Sequence, residues 1–351
     1  MPLSTNIDIE VADDVIAYLR NAGFIGVNEA PIVRALAGGV SNKTVLVKRQ
    51  SGEAWVLKQA LPKLRVAADW YCSPDRIHRE ADGMRELAIL APVGTIPRLV
   101  SEDIPNHLLM MDAVPQPHEN WKTLLMNGEA EPDHVAQFGR LLATIHRHSR
   151  LHRDSLADLF DDRSFFESLR IEPYYAYALS RVPEAAFLAD LIDRTRRRRY
   201  TIVHGDFSPK NILVYQQRLI LLDHEVIHFG DPAFDVGFSL THFLSKAHHL
   251  PNNREAFLTQ AGIYWDVYRS VLGDAQWDPE IERFAVLHTM GCLLARVAGR
   301  SPLEYLSEAE RDLQHRIVVS LARKPPSTVR DVIAQFAAKI NHANYNYSFR
   351  K

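Results

Sequence analysis

Apolar positions recur with two different periods along this chain, and the change of period divides it. Residues 9–20 carry apolar side chains at helical spacing and stop at Asn21-Ala22-Gly23, which predicts a short amphipathic helix. Strand-like runs follow at 32–36, 43–48 and 54–59, the last two joined through Ser51-Gly52. Between the first and second lies Ala37-Gly38-Gly39-Val40-Ser41-Asn42, a predicted loop. In Trp55-Val56-Leu57-Lys58, period two puts Val56 and Lys58 on one face and Trp55 and Leu57 on the other. Ser73-Pro74-Asp75 offers a capping hydroxyl, a proline and an acid, and so predicts a helix start. Ile77, Ala81, Met84 and Ala88 then repeat at helical spacing. Residues 108–111 are a buried-strand candidate, left through Asp112-Ala113-Val114-Pro115. Beyond Pro117 helical patterns dominate: 135–146, with Val135, Phe138, Leu141, Leu142 and Ile145 apolar, and several more from Gly237 to about Ile340. A β-rich small part followed by a mainly helical large part predicts an α+β chain in two lobes, 1–114 and 115–351.

Two features depart from these patterns. Glu80 sits inside the apolar stripe, three residues after Ile77 and four before Met84. An acid on an apolar face needs a partner, and Lys58 is the natural one. The other is the run Thr201-Ile202-Val203-His204-Gly205-Asp206-Phe207-Ser208-Pro209-Lys210-Asn211-Ile212-Leu213-Val214, followed by Leu221-Leu222-Asp223-His224-Glu225. Asp206 and Asn211 are polar residues on a loop between two apolar runs, and Asp223 arrives from the next strand. An Asp that can take a hydroxyl proton, with an amide and a second acid nearby, is the layout of a kinase catalytic loop and its metal-binding acid. Hard oxygen ligands of this kind suit Mg²⁺ held mainly through phosphate. Asp223 and Glu225, two apart, share a face if the strand continues, so both reach one metal. If the chain turns at His224, Glu225 is instead a supporting acid.

Composition narrows the class. The 351 residues are 46% hydrophobic and 24% charged, ordinary for a globular protein. A net charge of −2 argues against bulk nucleic-acid or anionic-membrane binding. Cys72 and Cys292 form no CxxC pattern, so neither a disulfide framework nor a zinc site is expected from them. No signal sequence or long apolar run is present, and a cytoplasmic enzyme is expected. His146, His148 and His152 do not share one helical face, so structural or surface roles are expected. The run of arginines 196–199 reads as a solvated helix C-terminus, and His248-His249 as surface. The tail from Asn341 to Phe349 carries no assignable role.

The residues 204–211 and Leu222-Asp223-His224-Glu225-Val226-Ile227-His228-Phe229-Gly230-Asp231-Pro232-Ala233-Phe234-Asp235-Val236-Gly237 resemble the aminoglycoside phosphotransferase and choline kinase-like superfamily. The resemblance implies a protein-kinase-like fold and ATP-dependent phosphorylation of a small molecule. It implies that Asp206 is the catalytic base, that Asn211 and Asp223 hold Mg²⁺, and that His204 and Asp235 are structural, Asp235 steadying the loop. In the small lobe it implies phosphate contacts from Gly38, Gly39, Ser41 and Asn42. It also implies adenine contact from Val56 and the hinge residues Asp112 and Val114, and phosphate positioning by Lys58 paired with Glu80. Lys58-Gln59-Ala60-Leu61-Pro62, Arg65, Trp70, Asp75-Arg76, Glu80 and Asp223-x-Glu225 are also similar to methylthioribose kinases. That group lacks an Asn at the Asn211 position, and its paired sugar-contacting arginines stand here as Ala295-Arg296. The acceptor is therefore open, with Arg296 expected among its contacts. A protein kinase is the rival, against which His204-Gly205-Asp206 lacks the Arg of the HRD loop. A silent nucleotide-binding module is the other.

Overall fold

The first element, α1 (Ala12–Asn21), lies on the outer face of a five-stranded sheet. A computed structural model describes residues 7–36, 39–66, 69–274 and 277–348. The strands β1 (Ile32–Ala35), β2 (Asn42–Lys48), β3 (Ala54–Ala60), β4 (Leu99–Asp103) and β5 (Leu108–Asp112) are ordered β1-β2-β3-β5-β4, all neighbours antiparallel. The two faces separate as the period of β3 requires. Trp55 and Leu57 pack with Val15, Leu19, Val45 and Val47 under α1. Val56, half-buried, packs on the other face with Ile77, Ala81 and Met84 of α2 (Arg76–Leu90). Ile9 is fully buried although the helix begins only at Ala12. Likewise α2 begins after Asp75 rather than at Ser73, whose hydroxyl bonds the Asp75 side chain at 2.9 Å instead of a backbone N–H of the helix.

The strand Leu99–Asp103 was not expected from the sequence. Its burial is intermediate at every position but the last, so it carries no clean alternation.

Beyond β5 the chain is mainly helical. The elements are β6 (Glu119–Asn120), α3 (Trp121–Met126), α4 (Pro132–Leu151), α5 (Arg153–Leu159), α6 (Ser164–Phe166), a π-helical stretch Glu167–Ala176, α7 (Tyr177–Arg181) and α8 (Phe187–Arg197). Then come β7 (Thr201–Val203), β8 (Ile212–Tyr215), β9 (Arg218–Leu221), β10 (His228–Gly230), α9 (Pro232–His249), α10 (Arg254–Leu272), α11 (Ile281–Ala298), α12 (Glu308–Ala322) and α13 (Val329–Ser348). The short pair β7–β10 and the sheet β6-β8-β9 carry the loop between them on top of a helical core. Phe207 anchors that loop. It is fully buried and stacks on Phe138 of α4 at 4.2 Å. Truncating such a ring costs about 3–5 kcal/mol.

Two surface expectations are corrected here. His248 is buried and bonds the Glu310 carbonyl at 3.0 Å, because α12 packs over the end of α9. The arginine run is not uniformly solvated: Arg198 turns inward to Asp231 at 2.8 Å and Asp278 at 2.6 Å. The tail from Asn341 continues α13 to Ser348. His146 is fully buried between Tyr268 and Asp235, a structural place. Both cysteines are free and buried. Among the described residues no helix is long and apolar enough to cross a membrane.

Candidate active site

Gly205 makes the loop possible. Its φ is +76°, and a Cβ there would lie 2.8 Å from Val226 Cγ2, so only glycine fits. The turn aims the His204 and Gly205 N–H groups at one acceptor, Asp235, at 2.7 and 2.8 Å. Asp235 is fully buried at the start of α9 and so fixes the loop to the helical core. His204 Nδ1 accepts the Asp206 N–H at 3.2 Å, which leaves the hydrogen on Nε2, facing His224 Nδ1 at 3.2 Å. Burial lowers the pKa of both imidazoles, so the pair is neutral and shapes the loop without adding charge.

Three donors converge on one oxygen of Asp206. Asn211 Nδ2, Lys210 Nζ and Arg170 Nη2 reach Oδ2 at 2.8, 2.9 and 3.0 Å. Among the described residues no hydrogen bond is made to Oδ1, which is left open. Burial pushes this carboxyl up, but Arg170 and Lys210 outweigh it and hold Asp206 below the ordinary aspartate range. Arg170 also donates to the Gly205 carbonyl at 2.7 Å. It comes from the π-helical stretch, an irregularity frequent at functional sites. No local motif marks it in the sequence. Its partner Gly205 lies 35 residues downstream.

Lys58 Nζ stands between two acids, 2.7 Å from both Glu80 oxygens and 2.9 Å from Asp223 Oδ1. Glu80 is fully buried. Burial disfavours the Lys58 charge, but Asp223 and Glu80 outweigh it and raise its pKa well above the usual lysine value. Burial in turn pushes Glu80 up, against the pull of Lys58, and the like charge of Asp223 adds to the rise. We expect Lys58→Ala and Glu80→Ala to be strongly non-additive in turnover, with a coupling of about 0.5–3 kcal/mol. A double-mutant cycle checks this, and additive losses would mean that the pair does not act together.

Asp223 has φ +68°, a left-handed conformation that Asp tolerates better than most residues. The chain therefore turns here, and Glu225 does not stand beside Asp223 as on a continuing strand. Glu225 instead accepts from Arg76 Nε at 3.1 Å and Asn42 Nδ2 at 3.4 Å. Arg76 is fully buried and also donates to the Leu61 carbonyl at 2.9 Å, the Ser73 carbonyl at 3.0 Å and the Ser41 carbonyl. Arg76 and Glu225 thus tie α2 and the β1–β2 loop to the segment after Asp223. Ser41 and Asn42 are buried in this network. Gly39 is exposed, and Gly38 lies outside the described residues.

At the hinge the Asp112 N–H is taken by the Arg98 carbonyl at 2.9 Å, and the Val114 carbonyl faces His118 Nδ1 at 3.0 Å. The Val114 N–H has no backbone partner among the described residues. A hollow of about 460 Å³ is lined by Asp112, Val114, Pro115, Tyr215 and Ile220. It holds none of Lys58, Asp206, Asn211 or Asp223, so the chemistry is not seated there.

Arg296 is buried, as Arg170 is. Both guanidinium groups lie over the Tyr174 and Phe238 rings, Arg296 at 5.4 and 6.0 Å. Its Nη1 bonds the Tyr174 hydroxyl at 2.9 Å and the Ser301 carbonyl at 2.7 Å. Its partner is not Glu304, which pairs with Lys122. His242 and Lys246 of α9 are buried nearby. Burial, then the Lys122 charge, pull the Lys246 ammonium down to about 7.

A model described as the phosphotransferase enzyme family matches residues 32–273. The methylthioribose kinase of Pectobacterium atrosepticum is 25% identical over 268 residues, covering 68% of this chain and 66% of that kinase. The chain thus spans just under two thirds of that relative's length. The methylthioribose kinase of Citrobacter koseri is 24% identical over 310 residues, covering 79% of this chain and 75% of its own. Among solved structures, an amicoumacin kinase in complex with AMP-PNP and Ca²⁺ superposes with a TM-score of 0.53 at 17% identity, over 84% of this chain and 89% of that one. A macrolide 2′-phosphotransferase from Brachybacterium faecium gives 0.51 at 17% identity, over 89% and 99%. These likenesses show the fold, which is α+β and protein-kinase-like.

Proposed function

The chain belongs to the phosphotransferase enzyme family, and from that premise we propose that it moves the γ-phosphoryl group of ATP to a hydroxyl of a small molecule. Residues 1–114 form the nucleotide lobe in this reading, and 115–351 the catalytic and acceptor lobe. The observation that carries it is Asp206: one carboxylate oxygen fixed by Asn211, Lys210 and Arg170, the other open. A carboxylate so held orients a hydroxyl and receives its proton as the bond to phosphorus forms. Lys58 is placed for the α/β-phosphates, and the Val114 N–H for adenine. ATP use is in keeping with a cytoplasmic enzyme.

The donor set also fits Mg²⁺. Asn211 spends its amide hydrogens on Asp206, at 2.8 and 3.0 Å, which leaves Oδ1 to ligate. Asp223 gives one oxygen to Lys58 and has the other free of any donor among the described residues. Asn211 and Asp223 would hold the ion, which when bound neutralises charge on the transferring phosphate. Glu225 takes Arg76 and Asn42 on Oε2, and we place it as a brace behind this pair.

Arg170 and Lys210 pair with Asp206, and Arg296 lies over the same Tyr174 and Phe238 rings as Arg170, so arginine and lysine wall the catalytic carboxylate. Such a wall repels a polycation. The acceptor is therefore a neutral or anionic hydroxyl compound rather than an aminoglycoside, in keeping with the sugar phosphorylated by the relatives named methylthioribose kinase. Arg296 braces this wall through Tyr174 and Ser301. A panel of methylthioribose, simple sugars, amino alcohols and aminoglycosides tests this on wild type and Arg296→Ala. Sugar-like acceptors should be preferred, and Arg296→Ala should raise their KM. Robust transfer to aminoglycosides, untouched by Arg296→Ala, would contradict it.

A further inference from the structure

A second group of ligating atoms lies away from the catalytic cleft, where the first turn of α2 meets the turn between β4 and β5. His78 Nε2 is 3.2 Å from His107 Nδ1, and His107 Nδ1 is 3.5 Å from Asp75 Oδ1. All three atoms fall within 4.8 Å of one another. A tetrahedral zinc ion bound at about 2.0–2.1 Å sets its ligand atoms roughly 3.3 Å apart. The observed spacings bracket that value.

The surroundings orient these atoms as a metal site requires. His78 Nδ1 lies 2.7 Å from Glu102 Oε1. A carboxylate only accepts, so Nδ1 carries the hydrogen and Nε2 turns its lone pair toward His107. Arg85 pairs with the other Glu102 oxygen and fixes it in turn. Ser73 Oγ donates to Asp75 Oδ2 at 2.9 Å, which leaves Oδ1 for the cluster. Side-chain exposure rises from 17% at His78 to 37% at His107 and 66% at Asp75, so an ion and a water can enter from solvent. Two imidazoles and one carboxylate select zinc-like ions over Mg²⁺ or Ca²⁺, which prefer oxygen alone.

We propose that Asp75, His78 and His107 bind a zinc-class divalent cation, with water as the fourth ligand, and that this ion clasps α2 to the β4–β5 turn. The clasp sits one residue before Arg76 and two before Glu80. It therefore anchors the turn of helix that carries the partners of Glu225 and Lys58. It does not depend on the acceptor or on the phosphotransferase reading.

The test uses the full chain freed of metal with a chelator, then titrated with Zn²⁺ and with Co²⁺. Wild type should take up about one zinc per chain at this site, raise its Tm, and show the visible absorption of tetrahedral Co²⁺ with nitrogen and oxygen ligands. His107→Asn should lose that uptake and that spectrum. Asn suits the φ of +45° found at His107, so the fold should survive. Asp75→Ala, on an exposed residue whose side chain caps no helix N–H, is the second variant and should weaken binding at least tenfold. Zinc held at Asp206, Asp223 or the other histidines would survive both changes. No uptake by wild type, or equal uptake by both variants, which is adventitious binding only, overturns the proposal.

Discussion

Replacing Asp206 with Asn is expected to lower phosphoryl transfer by about 100- to 10,000-fold while leaving nucleotide affinity close to that of wild type. The substitution keeps the shape of the side chain but removes the charge proposed to receive the hydroxyl proton. In the proposed reading the nucleotide is held elsewhere, at Lys58 and the segment after β5, so its binding should persist. Arg170 and Lys210 lose their shared counter-ion, and removal of one partner from a buried pair costs about 3–5 kcal/mol, so Tm should fall in parallel. The pH profile gives a second check. Asp206 has a depressed pKa, and a depressed carboxyl loses its contribution only as pH falls through that lowered value. Its stabilising and catalytic effects should therefore hold across about pH 5–8. Steady-state kinetics, nucleotide titration and thermal melts of the variant separate these effects. Wild-type turnover would remove Asp206 from the mechanism.

Asp223→Ala should abolish activity at any Mg²⁺ concentration, because Asp223 pairs with Lys58 and is the acid proposed to hold the metal. Glu225→Gln should behave differently. Its partners are Arg76 and Asn42, so the Mg²⁺ concentration for half-maximal activity should stay near that of wild type. The cost should appear in stability, by about 3 kcal/mol or more, as the buried Arg76 loses its charged partner. Mg²⁺ titrations beside melts of the two variants distinguish a ligand from a brace. A raised Mg²⁺ requirement in Glu225→Gln would return Glu225 to the metal.

What the sequence showed and what it hid follow from the range of each interaction. The loop 204–211 was legible because its chemistry lies within a few residues and its turn needs a glycine. Lys58 and Glu80 were legible because each breaks a local pattern that only the other can compensate. Arg170 and the Arg76–Glu225 pair were not. Their partners stand 35 and 149 residues away, and an arginine within a helix leaves no periodic trace. Glu225 was open because two residues on a strand share a face, and the positive φ of Asp223 breaks that rule. His248 was misplaced because a polar residue at the end of a helix reads as surface until another helix packs on it.

The central claim is the transfer itself. Incubating the chain with γ-labelled ATP, Mg²⁺ and sugar-like acceptors, then separating small molecules from protein, reads it directly. The account predicts label in a small-molecule phosphate ester, dependent on Mg²⁺ and absent with Asp206→Asn. Label confined to protein, or nucleotide binding with no transfer to any hydroxyl compound, would contradict it.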